Sequence, residues 1–382
     1  MGTPHYDVAI AGLGAMGSMA AWQASARGLR VIGFDRFAPP HANGSSTGLS
    51  RIIRECYSEQ RFYVPIVQRA YGLWADLERL AGRSVLTTTG GLLIGDRSGY
   101  IVAGAMASAE QFGLQAELLE AAQVAERFPA FRLLQNQVAV YEPRAGSLMP
   151  EDAIESALAV ARGAGALLHY NEPVLDWETG ERITVTTTQG RYTADRLILA
   201  AGAWMAKSLP KRTLPLAPNR QVLFWFEPKA SKAWFELGQC PIFLWEWSPG
   251  RSIYGFPDQG HGFKVAIHHE GTAVDPDTVD RTVHEADERA VRVIVDQTFP
   301  GLLGPALRSG VCLYTNTPDE DFILDFHPDD RRVVVASPCS GHGFKFAPAI
   351  GEILADLITR GETAADISHF RIDRSFSRNS GS

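Results

Sequence analysis

Gly12, Gly14 and Gly17 stand as G-x-G-x-x-G between the apolar run Tyr6 to Ala11 and an Ala-rich stretch that reaches Arg27. A second buried run, LRVIGFD, ends in Asp35. That spacing can hold a dinucleotide. Gly12 permits a tight turn, Gly14 lets the backbone approach a pyrophosphate, and Gly17 lets helix and strand pack closely. Amides at the start of the helix favour phosphate charge, and Asp35 can accept ribose hydroxyl bonds. The fingerprint fits FAD and NAD alike, so the continuation of the chain has to choose. An NAD dehydrogenase continues with a contiguous parallel sheet. Here the first βα unit runs into the loop PPHANGSSTGLSRIIR, and sheet-like sequence returns only at YTADRLILAAGAW. The interruption favours FAD, laid out extended and covered at its flavin end by distant parts of the chain.

Other chemistries fail on spacing. In SPCSGHG, Pro338 and His342 occupy the two glycine positions that a G-x-S-x-G hydrolase needs around Ser340. His268, His269 and Glu270 are consecutive and lack the helical i, i+4 spacing of an HExxH zinc site. Cys56, Cys240, Cys312 and Cys339 are too sparse and too widely spaced for a disulfide framework or zinc site, which fits a reducing compartment. A net charge of -7 offers no reason to expect nucleic acid or an anionic membrane surface as partner. The first strand begins at Tyr6, leaving no room for a secretory leader, and no apolar stretch reaches bilayer length. A cytoplasmic protein is expected.

The elements that must position these residues follow from periodicity. Tyr6 to Asp35 reads as one βαβ unit. Val64, Val67, Tyr71, Trp74 and Leu77 recur at helical spacing within a helix predicted from Arg61 and stopped by Gly82. Between about Val85 and Pro143 the texture changes to short strands (GGLLIG, VAVYEP) around one amphipathic helix near Ala105 to Phe112. Glu151 to Arg162 is predicted as a helix stopped by Gly163. From Leu216 to Tyr314 aromatic strands (VLFWFEP, IFLWEW, IYGFP, FKVAIHH) predict an antiparallel sheet. The end, RRVVVASP and then CSGHGFKFAPAIGEILADLITRG, is a strand, a Gly-rich loop and a helix; past Arg374 the polar tail is expected to be loose. The fold class expected is α/β. A discontinuous Rossmann-like FAD-binding domain (1–84, 147–215 and 322–382) is interleaved with an antiparallel-sheet substrate domain (85–146 and 216–321).

Three further blocks, with GLGAMG, carry a family resemblance across nearly the whole chain. They are PPHANGSSTGLSRIIRECY, YGFP followed by GFKVAIHH, and CLYTNTPDEDFILDFHP continuing to SGHGFKFAPAIGEILADL. Together the chain resembles the monomeric sarcosine oxidase and N-methyltryptophan oxidase family, flavoprotein amine oxidases of the D-amino acid oxidase group. That resemblance implies a thioether between the flavin 8α carbon and Cys312, the cysteine of the CLY motif, with Cys56, Cys240 and Cys339 left as small buried hydrophobes. It implies FAD contacts at Arg36, Ser45, Ser50, Gly343 and Lys345, besides Gly12, Gly14, Gly17 and Asp35. Arg54 of RIIR and Lys345 of GFKF would hold a substrate carboxylate, an assignment that suits a planar fork beside a point charge. Arg51 would lie close to the flavin ring.

Lys264 matches the family lysine that contacts flavin N5 through water and promotes reaction with oxygen. Strand alternation points Lys264, Ala266 and His268 to one face, so Lys264 and His268 can share a pocket, while His269 is expected to face away. Tyr254 and Tyr314 match pocket tyrosines. His342, between two glycines, is expected to serve through its backbone. One departure stands out: GSSTGLSRIIR replaces a family pocket histidine by Thr47 and puts Ser50 at a family threonine. Substrate identity is thereby left open, and Leu244 with Trp245 and Trp247 suggests a bulky apolar wall. The function implied is a monomeric oxidase taking hydride from the carbon alpha to a secondary amine, with oxygen reduced to hydrogen peroxide. A fructosyl-amino-acid oxidase, an FAD dehydrogenase with another acceptor and an inactive flavin-binding subunit are the rivals.

Overall fold

The computed structural model describes residues 4–209, 214–229 and 231–377. Its first strand, His5–Ala11, lies inside an eight-stranded sheet, paired in parallel with Val31–Phe34 and with Arg191–Leu199. Leu167–His169 and Asp330–Ser337 extend the parallel part on either side. Period-two alternation divides the first strand between two cores. Val8 and Ile10 pack with the helices Ala15–Ala26, Val64–Ala81, Pro150–Gly163 and Ala347–Arg360, whereas Ala9 and Ala11 join the core on the other face. The helix after Arg61 opens with a tighter turn at Arg61–Tyr63, has a proline at its start, and stops at left-handed Gly82 (φ 63°), as the sequence predicts.

A nine-stranded sheet holds the aromatic segments. Its long ladder joins Ala217–Pro228 to Leu303–Asn316, and Phe263–His268, Arg251–Phe256 and Ile242–Ser248 follow in antiparallel order. One seam departs from the expected antiparallel pattern: Ile242–Ser248 runs parallel to Gly91–Asp96. No hairpin links these two strands, so no turn dictates their direction. The sheet then ends in Gln137–Glu142 and Glu117–Glu120. Helix Glu285–Thr298 was not expected in a stretch read as strands; it buries Val291, Ile294 and Val295 against the sheet's aromatic core. Its signal was present in three acidic residues in the first turn, Glu285, Asp287 and Glu288, which favour a helix N-terminus.

A small third sheet ties the two large ones together. Gly146–Leu148 pairs with Arg51–Ile53 on one side and with Leu86–Thr88 on the other. Arg51 and Arg54 therefore rise from a fixed strand edge. The tail past the last helix is anchored as far as Arg374, whose guanidinium donates to both oxygens of Asp319 at 2.8 and 3.0 Å. Among the described residues no helix is long and apolar enough to cross a membrane.

Candidate active site

A cavity of about 550 Å³ is lined both by the glycine-turn residues Gly12, Gly14 and Asp35 and by Tyr254, His268 and Tyr314 of the aromatic sheet. At the glycine end the turn is cut to fit a phosphate. A Cβ on Gly12 would sit 2.4 Å from the Ala200 carbonyl oxygen, and one on Gly17 only 1.7 Å from the Gly12 oxygen, yet one on Gly14 would meet nothing within 4 Å. The helix Ala15–Ala26 has no side-chain cap and no acid in its first turn, so its N-terminal amides are free to receive an anion. Among the described residues the buried Ser45 hydroxyl on the cavity wall also lacks a partner. Asp35 accepts the Leu13 amide (2.8 Å) and the Phe37 amide (2.9 Å), which fixes the carboxylate and leaves lone pairs for a ribose. Arg36 borders the groove but is spent on Asp277 (2.8 Å) and lies over the Trp204 ring. These features fit a dinucleotide such as FAD.

The loop between the second strand, Val31–Phe34, and the strand Arg51–Ile53 is curled around two cations. Arg51 donates to the carbonyls of Ser45 and Ser50 (2.7 Å each) and of Thr47, and its side chain lines the cavity. Lys264 donates to the Gly48 carbonyl at 2.6 Å and to the Ser50 carbonyl and hydroxyl at 3.1 and 3.0 Å. Its ammonium is fully buried, and desolvation together with the Arg51 charge holds it well below the usual lysine range. The Glu151 carboxylate closes the curl from the far side by accepting the Gly48 and Leu49 amides at 2.8 and 3.2 Å. Thr47, Ser50 and Lys264 thus stand just behind the residues that line the cavity. Cys312 does too, on the strand face it shares with the lining residue Tyr314. Burial raises the Cys312 thiol, while Arg51, Lys264 and Arg281 pull the other way.

Two more cations meet at another part of the cavity wall, around one buried tyrosine. The Arg54 guanidinium lies 4.5 Å from the Tyr57 ring centroid, and the Lys345 ammonium 5.2 Å from it. Burial works against the charge on Arg54, but Glu59 outweighs it: Arg54 Nη2 donates to both Glu59 oxygens at 2.6 Å, and the arginine is held above its ordinary value. Lys345 donates to the His342 carbonyl (2.7 Å), and desolvation plus the Arg54 charge bring it down to about 7. It sits in a short turn that opens helix Ala347–Arg360. Gly343 is obligatory there, because a Cβ would stand 1.7 Å from the Pro338 carbonyl oxygen. Between the two cation pairs, His268 Nδ1 lies 3.2 Å from the Tyr314 hydroxyl, and its ring meets Tyr254 edge-on at 5.7 Å. Burial and the neighbouring His269 keep His268 well below the usual imidazole range, so at neutral pH it is uncharged. Desolvation pushes the Tyr254 hydroxyl up to about 12.

Residues 7–357 match the sequence profile of the FAD dependent oxidoreductase family. The chain belongs to that family. It is similar to the monomeric sarcosine oxidase of Streptomyces avermitilis, 41% identical over 96% of this chain and 97% of the relative. It is also 35% identical to N-methyl-L-tryptophan oxidase of Yersinia pestis, over 97% of this chain and 99% of the relative. Among solved structures, NikD, an unusual amino acid oxidase essential for nikkomycin biosynthesis, has the same fold: TM-score 0.85, 24% identity, and coverage of 97% of this chain and 98% of that one. The protein is an FAD-dependent oxidoreductase grouped with the sarcosine and N-methyltryptophan oxidases, with the mixed α/β architecture expected.

Within this flavoprotein three sequence readings need correction. Leu244 lines the cavity, but Trp245 points to the opposite face of its strand, fully buried against Phe131 and Phe299, with its indole donating to Gln137 at 2.8 Å. Trp247 follows the same alternation and stacks under Arg251, so neither tryptophan builds the pocket wall. His269 does not face away. Its φ of 63° ends the strand and turns the ring back to 5.5 Å from Tyr314. His342 serves through its imidazole as well as its backbone: Nδ1 lies 2.6 Å from the Tyr57 hydroxyl and Nε2 3.0 Å from the Glu320 carbonyl. Burial and the Lys345 charge take His342 down to about 3, so it bridges these groups as a neutral ring. Sequence reasoning missed Glu59, Tyr57, Glu142 and Glu151. Only RECY, which places Tyr57 three residues after Arg54, carried a local signal for any of them.

Proposed function

We propose that this enzyme oxidises secondary amino acids, with FAD held in the cavity and oxygen as electron acceptor. The observation that carries the reading is the carboxylate already seated in the site. Glu59 occupies Arg54 beside Lys345 in the way a substrate carboxylate would, in a pocket otherwise built from Leu244, Tyr254, Tyr314 and an uncharged His268. Bound there, FAD would take a hydride from the carbon alpha to the amine and pass the electron pair to oxygen, giving hydrogen peroxide.

The chain's own groups do the rest. Arg54 and Lys345 bind and orient the substrate carboxylate; its negative charge would restore the proton on Lys345 that burial loosens. Tyr254 and Tyr314 hold the substrate amine side through hydroxyls that remain protonated at neutral pH. Neutral His268 repels no cationic amine, and the apolar wall keeps water from the reacting carbon until the imine leaves and hydrolyses. Arg51 and Lys264 supply positive charge where electron density collects. Cys312 is the attachment point: desolvation holds its buried thiol above the usual range, and the Arg51, Lys264 and Arg281 charges partly offset that and would stabilise the thiolate needed to form the bond. The four cysteines, none in a disulfide, suit a cytoplasmic setting.

Two measurements test this. With oxygen excluded, N-methylglycine or N-methyl-L-tryptophan should bleach the flavin absorbance, and in air each turnover should release one peroxide; a flavin that neither compound bleaches defeats the reading. Acid-denatured wild-type protein should keep its flavin on the chain, and Cys312→Ser should shed it into the supernatant. Flavin still bound to denatured Cys312→Ser would move the attachment elsewhere.

A further inference from the structure

Glu142 closes the strand Gln137–Glu142 and is 2% exposed. Its Oε1 accepts the Glu55 amide at 2.7 Å and its Oε2 the Cys56 amide at 2.9 Å. The Cys56 carbonyl in turn accepts from Arg54 Nη1 at 2.6 Å. One buried carboxylate therefore grips the two peptide units that immediately precede the Cys56 carbonyl holding the guanidinium. A second grip acts from outside: Arg144 pairs with Glu55 at 2.9 Å, and the Tyr71 hydroxyl donates to the Arg144 carbonyl at 2.9 Å. Burying a carboxylate is expensive unless it is hydrogen-bonded and faces positive charge; desolvation dominates at Glu142 and raises its carboxyl, while the two amides and Arg54 beyond them pull it back toward the charged form.

The other end of this linkage is the pocket wall. In the aromatic sheet Glu142 pairs with Gly91, and Gly91 pairs with Ile242, two residues before Leu244. Leu244 pairs in turn with Tyr254. Glu142 and the wall residues thus share one continuous ladder, whereas Arg54 directly follows the strand Arg51–Ile53 of the small third sheet. We propose that Glu142 is a positioning residue for Arg54, fixing how far the carboxylate anchor stands from the Leu244 and Tyr254 wall and thereby which amino-acid carboxylates are recognised. The proposal rests on the reading of Arg54 as that anchor.

The flavin-loaded enzyme is titrated with furan-2-carboxylate and with its uncharged carboxamide, following the flavin absorbance. In Glu142→Gln the side-chain amide meets a peptide N–H with a donor of its own. Carboxylate affinity should weaken about tenfold while carboxamide affinity stays within about twofold. Glu142→Asp keeps the charge, falls one methylene short and guards against a Gln variant that fails to fold; it should shift the carboxylate alone, in the same direction. A merely structural carboxylate would weaken both probes together or lower only the melting temperature, and either result overturns the proposal. Adding Glu142→Gln to Arg54→Ala should leave the carboxylate-to-carboxamide ratio unchanged, and a further loss overturns it too. Should Arg54→Ala alone leave that ratio at the wild-type value, the anchor reading falls and takes the proposal with it. A ratio that answers to Arg54 and not to Glu142 refutes the proposal alone.

Discussion

Gly17→Ala is expected to give protein without flavin and with a lowered melting temperature, whereas Gly14→Ala should fold normally and still bind FAD poorly. At position 17 the new Cβ would lie 1.7 Å from the Gly12 oxygen and 2.8 Å from the Gly12 carbonyl carbon, both backbone atoms. The turn cannot move aside, because Gly12 is itself pinned at φ 95° with its own Cβ direction facing the Ala200 oxygen at 2.4 Å. Helix Ala15–Ala26 would have to lift off the first strand, and its buried face, including Met19, Ala20 and Ala21, would lose contact. Such overpacking costs about 1–3 kcal/mol at an average core site, and more where only backbone can yield. At position 14 nothing stands within 4 Å, so folding is unaffected and the methyl fills only the space a pyrophosphate would use. Thermal unfolding and absorbance at the flavin maximum separate the two effects. A Gly17→Ala protein with wild-type flavin content and melting temperature would show that this turn does not hold the cofactor.

That contrast indicates which parts of the molecule could be read in advance. The glycine turn is specified within a short window, since its strand, turn and helix are consecutive and each has a local pattern. Strand alternation is equally local and puts Leu244 and Trp245 on opposite faces, but the strand is buried on both sides there, so joining Leu244 with Trp245 and Trp247 into one wall fails. A bulky residue on a doubly buried strand carries no label for its face. His269 defeated the same rule, because alternation holds only while the backbone stays extended, and here the strand stops at His268. Glu142 and Glu151 were invisible for another reason: the amides they bind lie 86 to 103 residues away, and a carboxylate has no sequence pattern that names a backbone partner. Glu59 lies only five residues from Arg54, but an acidic residue in a loop ordinarily faces water, and its partial burial beside Arg54 depends on the whole cavity. The parallel seam at Ile242–Ser248 is likewise a product of assembly and not of either strand.

Lys264→Met is expected to slow reaction of the reduced enzyme with oxygen by about 10²–10³, the usual loss when a preorganised charge donor is removed, while reduction by substrate changes far less. The side chain runs across the aromatic sheet between Trp225 and Phe256, with its ammonium 5.2 and 4.8 Å from the ring centroids, and a methionine can fill that slot. What the variant loses is a buried cation. Oxygen gains negative charge as it takes up an electron, and in a site of low polarity a fixed positive charge lowers that barrier more than it would in water. On the function proposed above, reduction of the enzyme would depend instead on how Arg54 and Lys345 hold the substrate, at a different part of the wall. The proton on Lys264 gives a second signature. Desolvation and Arg51 depress its folded value, so the ammonium is present at low pH and is lost as pH rises through that depressed value. The oxygen reaction of the wild type should therefore decline over that interval, and that of Lys264→Met should stay flat. Lys264 also carries three hydrogen bonds to the curl at Gly48 and Ser50, so a rival account makes it a strut for Arg51 and nothing more. A lost strut would disturb both half-reactions alike and leave no pH step to abolish, so equal losses with an unchanged pH profile would deny Lys264 its electrostatic role.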